Sequence, residues 1–448
     1  MLGLIAQVAS AHTPSPKGEP VTVYPNLSKT LYIFSKDDRI LYLEPEYPDW
    51  ISINVRYKGI FDLFDGRHSV GDISRFIKEN HQNESDLLID QISSLIKTSR
   101  IFEQDTSVIP QNFKARESRL KYVYLTLTDD CNLNCRYCYA KARSKASSLD
   151  VQAWYTFVDR LLAFSNPLTF IFTGGEPLLV PYLFELTTYI NNHGSSCILL
   201  TNGTKIDNKE TAKSIAECFE LIKVSLDSHR PETCSELRGH GTLDKVIAAL
   251  GLLDDAKANY TVLATVSKLN KEDLDDFAQY FNDKVSFQPL YRMGSAKTES
   301  ELFISGDEYY DALTRTGLFK YLSSYHRNIH SYRGNPSKRC AMATEELSIG
   351  PNGDLYPCHM LHYPELKVGN LSSEESIEDL YNKSKVLSDL RAFTVDSIPQ
   401  CRDCFVRNLC AGGCRARLDF YSDGLEGNDS FCIFEKRLIL DALLYSYG

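Results

Sequence analysis

The sequence lacks any hydrophobic run that could cross a bilayer, since no stretch approaches the roughly 18 apolar residues that a membrane helix needs. It also lacks an excess of positive charge: 49 Lys and Arg residues face 59 Asp and Glu residues, which gives a formal charge of −10. Clustered basic residues are what attract nucleic acids and anionic membranes. The two absences therefore predict no membrane partner and no nucleic-acid partner.

A secretory signal is missing as well. Residues 2–11 are mildly apolar, but no positively charged segment precedes them. We therefore expect a cytoplasmic protein, in which thiols stay reduced. The length of 448 residues suggests about three domains, at about 150 residues each.

Cysteine, in contrast, is abundant and unevenly distributed. Ten of the 13 cysteines fall into two spaced groups, and the other three are Cys197, Cys218 and Cys234. A disulfide framework is typical of short, loop-rich secreted chains, so it does not suit this one. Grouped thiols in a long chain predict a metalloprotein, while the three isolated cysteines are expected to pack as small apolar residues.

Hydrophobic periodicity divides the chain into five segments. Residues 1–26 are a loose tail, and residues 27–106 combine two short strand patterns with three helical patterns, which predicts a small α+β module. Residues 107–118 are a linker. Six strand patterns alternate with helical patterns over residues 119–330, which predicts an α/β fold of parallel βαβ units in a partial (β/α)6 barrel. Residues 331–448 lose this alternation and are rich in Cys and Gly, so they are expected to need metal to fold.

The first cysteine group, Cys131, Cys135 and Cys138, directly follows the first strand of the predicted barrel. Three thiols so close in the chain can converge on one metal centre. An iron–sulfur cluster held by three thiolates leaves one iron open for a ligand, whereas structural zinc expects four protein ligands. No fourth Cys or His stands close by in the sequence, but the spacing alone leaves both metals open.

Polar residues also follow the next three strands of the predicted barrel. The second strand ends in the Gly-Gly-Glu sequence of residues 173–177, the third is followed by Asn202, and the fourth ends at Ser225 and Asp227. Glycines allow the backbone to approach a ligand closely. Because the carboxyl ends of parallel strands meet at one rim, we expect these groups to lie beside the cysteine loop.

This combination resembles the radical S-adenosylmethionine (SAM) superfamily, whose CxxxCxxC signature carries an aromatic residue before its last cysteine. The resemblance covers about residues 119–330. It implies that the three cysteines hold a four-iron cluster whose open iron binds SAM, and that a 5′-deoxyadenosyl radical then abstracts a hydrogen from the substrate. The implied SAM contacts are Tyr137, Gly174, Gly175, Glu176, Asn202, Ser225, Asp227 and Arg238. Within this set the Gly-Gly-Glu sequence receives the SAM ammonium, Ser225 and Asp227 contact the ribose, and Asn202 and Arg238 contact the carboxylate.

The second cysteine group occupies the C-terminal segment. Seven thiols lie in this segment, which suits two iron–sulfur clusters better than one zinc ion. The pattern resembles the SPASM domain, including a glycine, Gly353, shortly before the second cysteine. The resemblance implies one auxiliary four-iron cluster on Cys401, Cys404, Cys410 and Cys432, and another on Cys340, Cys358 and Cys414.

The second auxiliary cluster would be short of one thiolate. Its fourth position therefore belongs to another kind of ligand or is an open iron. His359, Asp354 and His362 lie nearby in the sequence, but we interpret each as a solvated loop residue. With the SAM-binding cluster, the resemblances imply three four-iron clusters in total.

The N-terminal module resembles the PqqD-like peptide-recognition domain, which is winged-helix-like. The resemblance rests on the sequences of residues 50–54, 63–66 and 69–73. An exposed edge strand in such a module can accept a peptide leader as an added strand. The alternative is a subdomain that only covers the surface of the barrel.

Together these features predict a radical SAM/SPASM enzyme that modifies a ribosomally synthesised precursor peptide, recognised through its leader. The expected reaction forms a thioether or carbon–carbon crosslink, and an electron donor such as flavodoxin or ferredoxin supplies the reducing electron. One alternative is the oxidation of a Cys or Ser in a sulfatase. An iron–sulfur electron carrier and a zinc-stabilised binding protein are others, but neither needs the SAM-binding rim.

Overall fold

The computed structural model describes most of the chain. The described residues are 24–103, 119–142, 148–315, 333, 336–418 and 420–445. Residues 1–23 of the predicted tail and the whole of the predicted linker, 107–118, lie outside them. Among the described helices, none is long and apolar enough to span a membrane.

The N-terminal module contains a three-stranded antiparallel sheet. Its strands are β1 (Tyr32–Lys36), β2 (Arg39–Glu44) and β3 (Asp49–Asn54), ordered β1-β2-β3. The sequence pattern predicted the first two strands and missed β3. The reason is that β3 directly follows Pro48 and begins with Asp49, and both residues are typical of turns.

Three helices follow this sheet: α1 (Lys58–Phe61), α2 (Val70–Asn80) and α3 (Ser85–Thr98). Ser69 caps α2 as predicted, because its hydroxyl accepts a hydrogen bond from the Asp72 N–H while the Asp72 carboxylate accepts one from the Ser69 N–H. Apolar residues of the helices and of one sheet face form a single buried cluster. The module therefore has a core of its own.

The central part of the chain is a sheet of six parallel strands, which confirms the predicted partial barrel. The strands are β4 (Tyr122–Thr126), β5 (Thr169–Thr173), β6 (Ser196–Thr201), β7 (Leu221–Ser225), β8 (Tyr260–Val266) and β9 (Val285–Pro289). They are hydrogen-bonded in this order, each parallel to the next. Alternate residues such as Val123 and Leu125 are fully buried in the core, which explains the apolar runs in the sequence.

Helices connect these strands and pack on the sheet. They are α4 (Val151–Phe164), α5 (Leu183–Asn192), α6 (Lys209–Cys218), α7 (Pro231–Arg238), α8 (Thr242–Asp255), α9 (Leu274–Tyr280) and α10 (Gly306–Arg315). Cys234, which the sequence pattern placed in a polar loop, lies on α7 and is buried. Cys197 is buried too, so both pack as the apolar residues that were expected.

The C-terminal segment is joined to the barrel through the sheet itself. Strand β10 (Glu346–Ile349) pairs in parallel with β4, and β11 (Asp354–Tyr356) and β12 (Gly369–Asn370) extend the sheet as antiparallel strands. The result is a nine-stranded sheet ordered β12-β11-β10-β4-β5-β6-β7-β8-β9. This continuity was not predicted, because pairing between strands so far apart in the chain leaves no local signal.

The remaining helices surround the C-terminal cysteines. They are α11 (Ile377–Lys383), α12 (Lys385–Ala392), α13 (Arg407–Cys410), α14 (Phe420–Asp423) and α15 (Cys432–Leu444). The second face of the N-terminal sheet packs against α13 and α15. This interface buries Leu41, Leu43 and Trp50 of the module with Ile439 and Leu443 of α15. The sheet of the module is therefore covered on both faces.

Candidate active site and cluster sites

The predicted SAM-binding cysteines lie on the loop after β4, at the carboxyl end of the parallel strands. The Arg136 N–H donates a hydrogen bond to a carbonyl in the last turn of α7, and the Ser295 N–H donates one to the Cys138 carbonyl, both at 3.0 Å. Cys131 is exposed, whereas Cys135 and Cys138 are half-buried. The fixed loop thus brings three thiols to the rim.

The Gly-Gly-Glu segment braces this loop from the neighbouring strand β5. The Gly175 N–H donates to the Thr128 carbonyl and the Glu176 N–H donates to the Asp130 carbonyl, each at 2.8 Å. A Cβ atom on Gly175 would overlap the Asp130 carbonyl oxygen, and one on Gly174 would overlap that of Thr128. Gly174 also has a φ of +130°. The two glycines are therefore required for the contact between β5 and the cysteine loop.

The Glu176 carboxylate is buried and engaged within the protein. It accepts hydrogen bonds from Thr201 Oγ1 at 2.7 Å, the Asn202 N–H at 2.7 Å and the Leu178 N–H at 3.0 Å. Burial raises the pKa of Glu176, although the three hydrogen bonds act to lower it. The side chain therefore ties β5 to β6.

Asn202 connects the end of β6 to the cysteine loop. Its Nδ2 donates to Asn132 Oδ1 at 2.9 Å and lies 3.7 Å from Cys131 Sγ. Its Oδ1 accepts hydrogen bonds from the N–H and the hydroxyl of Thr204. Ser225 ends the next strand, β7, and is half-buried. The structure therefore places Asn202 directly against one of the three thiols.

Asp227 and Arg238 form a buried ion pair beside the loop. Arg238 Nε lies 2.6 Å from Asp227 Oδ2, and its Nη2 lies 3.0 Å from Oδ1. The Asp227 carboxylate also accepts hydrogen bonds from the Tyr137 hydroxyl and the Thr265 N–H. Burial alone would lower the pKa of Arg238, but the Asp227 charge raises it well above its ordinary value. The guanidinium is therefore permanently charged, and the pair fixes the aromatic residue of the cysteine motif.

Two thiols of the loop, those of Cys131 and Cys135, have raised pKa values. Burial raises the pKa of Cys135 to about 11, although the Arg238 charge acts to lower it. Burial also raises the pKa of Cys131. Because iron binds thiolates, cluster assembly must release protons here. Three thiols from one loop are a donor set that fits a cluster with one open iron.

Four of the C-terminal thiols line a single pocket. They belong to Cys401, Cys404, Cys410 and Cys432. A tetrahedral zinc site would bring its thiolate sulfurs to about 3.8 Å from one another. Among the described residues, no three thiols have all their sulfur atoms within 4.8 Å. The spacing therefore suits a multi-iron cluster better than a single zinc ion.

The other three C-terminal thiols form a second set. Burial and the nearby Cys414 together raise the pKa of Cys340 to about 12. Burial likewise raises the pKa of Cys358 well above its ordinary value, with contributions from both other thiols. The hydroxyl of Tyr291, which follows β9 of the barrel, is hydrogen-bonded to Cys414. Sequence reasoning missed this link between the barrel and a thiol.

The interpretation as a solvated loop residue was wrong for Asp354. This residue begins strand β11, is 8% exposed and pairs with Lys367 at 2.5 Å. His359 and His362 do lie in the segment that follows β11, but both are half-buried. His362 shares a hydrogen bond of 2.8 Å with the Ser348 hydroxyl. The ring of His359 stacks on a tyrosine of β4 at a centroid distance of 3.9 Å.

A buried arginine lies between the two C-terminal thiol sets. Arg417 pairs with Asp429 at 2.7 Å and with Glu435 at 2.8 Å, and all three side chains are almost inaccessible. Its charge acts to lower the pKa values of Cys410 and Cys414, one from each set, which burial raises. Sequence reasoning missed this group, because contacts between side chains 12 and 18 residues apart leave no local pattern.

A cavity of about 260 Å³ opens between the barrel rim and the C-terminal segment. Its walls include Tyr291, Arg292 and Phe303 from the barrel, and Arg417 and Phe431 from the C-terminal segment. Sites for drug-sized ligands are typically about 300–1,000 Å³. A cavity of this size therefore suits a single large side chain, held next to the second thiol set.

Known families match the two cysteine regions. The Radical SAM superfamily matches residues 125–281, and the SPASM iron–sulfur cluster-binding domain matches residues 340–405. The chain therefore contains a radical SAM domain followed by a SPASM domain. These domains imply SAM and four-iron clusters as its cofactors.

Particular relatives carry different names. The mycofactocin maturase MftC of Mycolicibacterium smegmatis is 26% identical over 323 residues, which cover 68% of this chain and 81% of the relative. An AdoMet-dependent heme synthase of Methanosarcina barkeri is 24% identical over 338 residues, covering 69% of this chain and 95% of the relative. The crystal structure of Streptococcus suis SuiB bound to the precursor peptide SuiA has a TM-score of 0.57 and 15% identity, and covers 90% of this chain and 98% of that one. The shared fold therefore extends beyond the barrel, while the names point to more than one kind of substrate.

Proposed function

We propose that this enzyme modifies a ribosomally synthesised precursor peptide and forms a thioether or carbon–carbon crosslink in it. The leader of that peptide binds the N-terminal module, residues 27–106, which we take to be PqqD-like. The similarity to a mycofactocin maturase and to the fold of SuiB, whose structure holds a precursor peptide, supports a peptide substrate. The single observation that carries the proposal is the exposed edge of the module.

Strand β1 provides that edge. Among the described strands it pairs only with β2, and Tyr32 and Ile33 are 40% and 57% exposed. The ring of Phe34 lies 4.8 Å from the ring of Phe405, so an apolar surface continues from β1 onto the C-terminal segment. A leader added along β1 would gain backbone hydrogen bonds from the strand and apolar contacts from these rings. It would then run toward the first auxiliary thiol set.

At the rim, we assign a role to each residue from its position and its hydrogen bonds. The proposed SAM contacts are Tyr137, Gly174, Gly175, Glu176, Asn202, Ser225, Asp227 and Arg238, beside the cluster ligands Cys131, Cys135 and Cys138. Glu176 and Asp227 also position the rim, because each carboxylate accepts hydrogen bonds from the neighbouring strand. When bound, SAM supplies the radical that abstracts a hydrogen from the substrate. The chain supplies the alignment of the rim and the exclusion of water.

In the C-terminal segment, residues 331–448, we propose two auxiliary four-iron clusters. One is held by the four thiols that line a common pocket, and the other by Cys340, Cys358 and Cys414. The cavity beside Tyr291 and Arg417 then receives the side chain that is modified. This arrangement leaves the substrate between the SAM-binding rim and an electron acceptor, as a crosslinking reaction requires.

The proposal is tested with a synthetic peptide copied from a short open reading frame beside the gene. Anaerobically reconstituted protein is incubated with dithionite, SAM and the peptide. We expect release of 5′-deoxyadenosine and a product that is lighter than the peptide by two hydrogen atoms, detected by mass spectrometry. SAM cleavage with no change in any such peptide, and no binding of its leader, would contradict the peptide substrate.

A further inference from the structure

The second auxiliary thiol set has a carboxylate in the place where a fourth ligand is needed. An oxygen of Glu346, Cys358 Sγ and a ring nitrogen of His359 all lie within 4.8 Å of one another. The Glu346 carboxylate is in hydrogen-bond contact with Cys358, and its charge also acts on Cys340. Among the described residues, this is the one group of three metal-ligating side chains at such close range.

The fold fixes the position of Glu346. It begins strand β10 and lies opposite Tyr122 of β4 in the parallel register. The next residue along β10, Leu347, is fully buried in the core, and Glu346 points to the opposite face, where its side chain is 15% exposed. A strand paired with the barrel therefore holds the carboxylate beside the thiols, and a mobile loop is not involved.

His359 serves as the partner of this carboxylate. Its N–H and its Nδ1 lie 3.2 Å and 2.9 Å from Glu346 Oε1. The imidazole is stacked on Tyr124 at 3.9 Å, which fixes the direction of Nδ1. Metal-bound carboxylates are generally oriented by such second partners, and the pair has that geometry.

The other nearby candidates are engaged elsewhere. Asp354 bonds to Lys367 at 2.5 Å and to Asn370 at 2.7 Å. His362 bonds to Ser348 and stacks on the ring of Tyr356. Neither group would reach the thiols without breaking these contacts.

We propose that the Glu346 carboxylate is the fourth protein ligand of the auxiliary cluster at Cys340, Cys358 and Cys414, positioned by His359. The inference rests on the proposed assignment of these three cysteines to one cluster. A carboxylate is a harder ligand than a thiolate and suits iron less well than sulfur does. This cluster would therefore have one iron that differs from the other three.

The test uses the full-length chain in which Cys131, Cys135 and Cys138 are replaced by Ala, so that the open iron at the rim is absent. This protein should hold about eight irons, from two four-iron clusters. It is reduced and treated with carbon-13-labelled cyanide, a small ligand for open iron sites. Electron–nuclear double resonance then reports whether the label is bound to a cluster.

With Glu346 in place we expect no cyanide coupling, because the fourth position is filled. In the E346A variant we expect coupling from about one cyanide per chain, and in E346C the coupling should vanish again, because a thiolate fills the position. D354N is the matched control, since it alters a buried carboxylate next to β10, and it should behave as the parent protein.

Coupling in the parent protein, or none in an E346A variant that keeps its iron, would overturn the proposal. If E346A loses about four irons, restoration of them by E346C supports the proposal and failure to restore them overturns it. A parent protein with only about four irons would overturn the cluster assignment as well. Failure of the unaltered full-length chain to modify any precursor peptide, together with the expected cyanide results, would instead contradict the proposed substrate alone.

Discussion

The two cysteine regions of this protein differ in the structural elements that position their polar groups and thiols. At the barrel rim, parallel strand ends deliver the groups, and the polar side chains satisfy one another, as Glu176 does across β5 and β6 and Asp227 does with Arg238. In the C-terminal segment, turns and helix ends deliver the thiols, and the charges of Arg417 and Glu435 are buried beside them. We therefore expect the rim to form from the fold alone, and the C-terminal segment to draw part of its folding free energy from metal.

Replacement of the rim cysteines should give the largest difference between the two regions. Replacing Cys131, Cys135 and Cys138 with Ala is expected to reduce 5′-deoxyadenosine release to background, because no open iron remains to bind SAM. The variant should keep about eight of about twelve irons, since the other thiols are untouched. Iron analysis and chromatography check the two outcomes. Continued SAM cleavage would mean that this loop is not the SAM site.

The buried charges of the C-terminal segment give the next largest effect. Arg417→Met leaves Asp429 and Glu435 buried without their cation, which costs about 3–5 kcal/mol of unfolding free energy. Arg437→Met is the control, because its two pairs with aspartates are exposed and contribute at most about 1 kcal/mol. Anaerobic urea unfolding of the iron-loaded proteins measures the free energy of unfolding of both variants. Equal losses would mean that the burial of the three charges does not stabilise the C-terminal segment.

At the rim, we expect the next effect from a steric clash at Gly175. In Gly175→Ala the new Cβ meets the Asp130 carbonyl, a backbone atom that cannot rotate away, so the cysteine loop must shift. A shift of about 1 Å can lower a rate by about a hundredfold, and we expect a loss of that order in SAM cleavage. Gly251→Ala on α8, where no atom lies within 4 Å of the new Cβ, should leave the rate unchanged. Similar rates for the two variants would refute the bracing role.

The smallest effect is expected outside both regions, at the edge of the N-terminal module. We expect a leader peptide to bind with a dissociation constant in the micromolar range, about −8 kcal/mol. Ile33→Asp on β1 should weaken this binding about tenfold and leave SAM cleavage intact. Leu87→Asp on α3 is the control, since both residues are 57% exposed. Titration calorimetry on the full chain measures the dissociation constant of the leader for each variant. An equal loss of affinity in the two variants would mean that the leader binds elsewhere.

The barrel and the location of its rim were predictable, because parallel strands that are buried on both faces are continuous apolar runs. The predicted strand of residues 168–172 corresponds to β5, Thr169–Thr173, and the other five agree as closely. Once the strands are parallel, the residues that follow them must share one edge. This is why Asn202 and Asp227, far apart in the chain, could both be expected beside the cysteine loop.

Contacts between distant segments were not predictable, since they leave no periodic signal. Strand β10 has the four-residue sequence Glu-Leu-Ser-Ile, and nothing in it indicates β4 as its neighbour. Leu41 and Leu43 of the module are buried against Leu443, which lies on α15 near the other end of the chain. The ion pairs of Arg417 with Asp429 and Glu435 were not predictable for the same reason. Sequence therefore indicates which residues hold metal more readily than which residues surround it.

The shared sheet also has a mechanical consequence. A hydrogen-bonded ladder between β4 and β10 resists bending more than a flexible linker does, so it couples the C-terminal segment mechanically to the barrel. A hinge at this junction would have to break the backbone hydrogen bonds of the ladder.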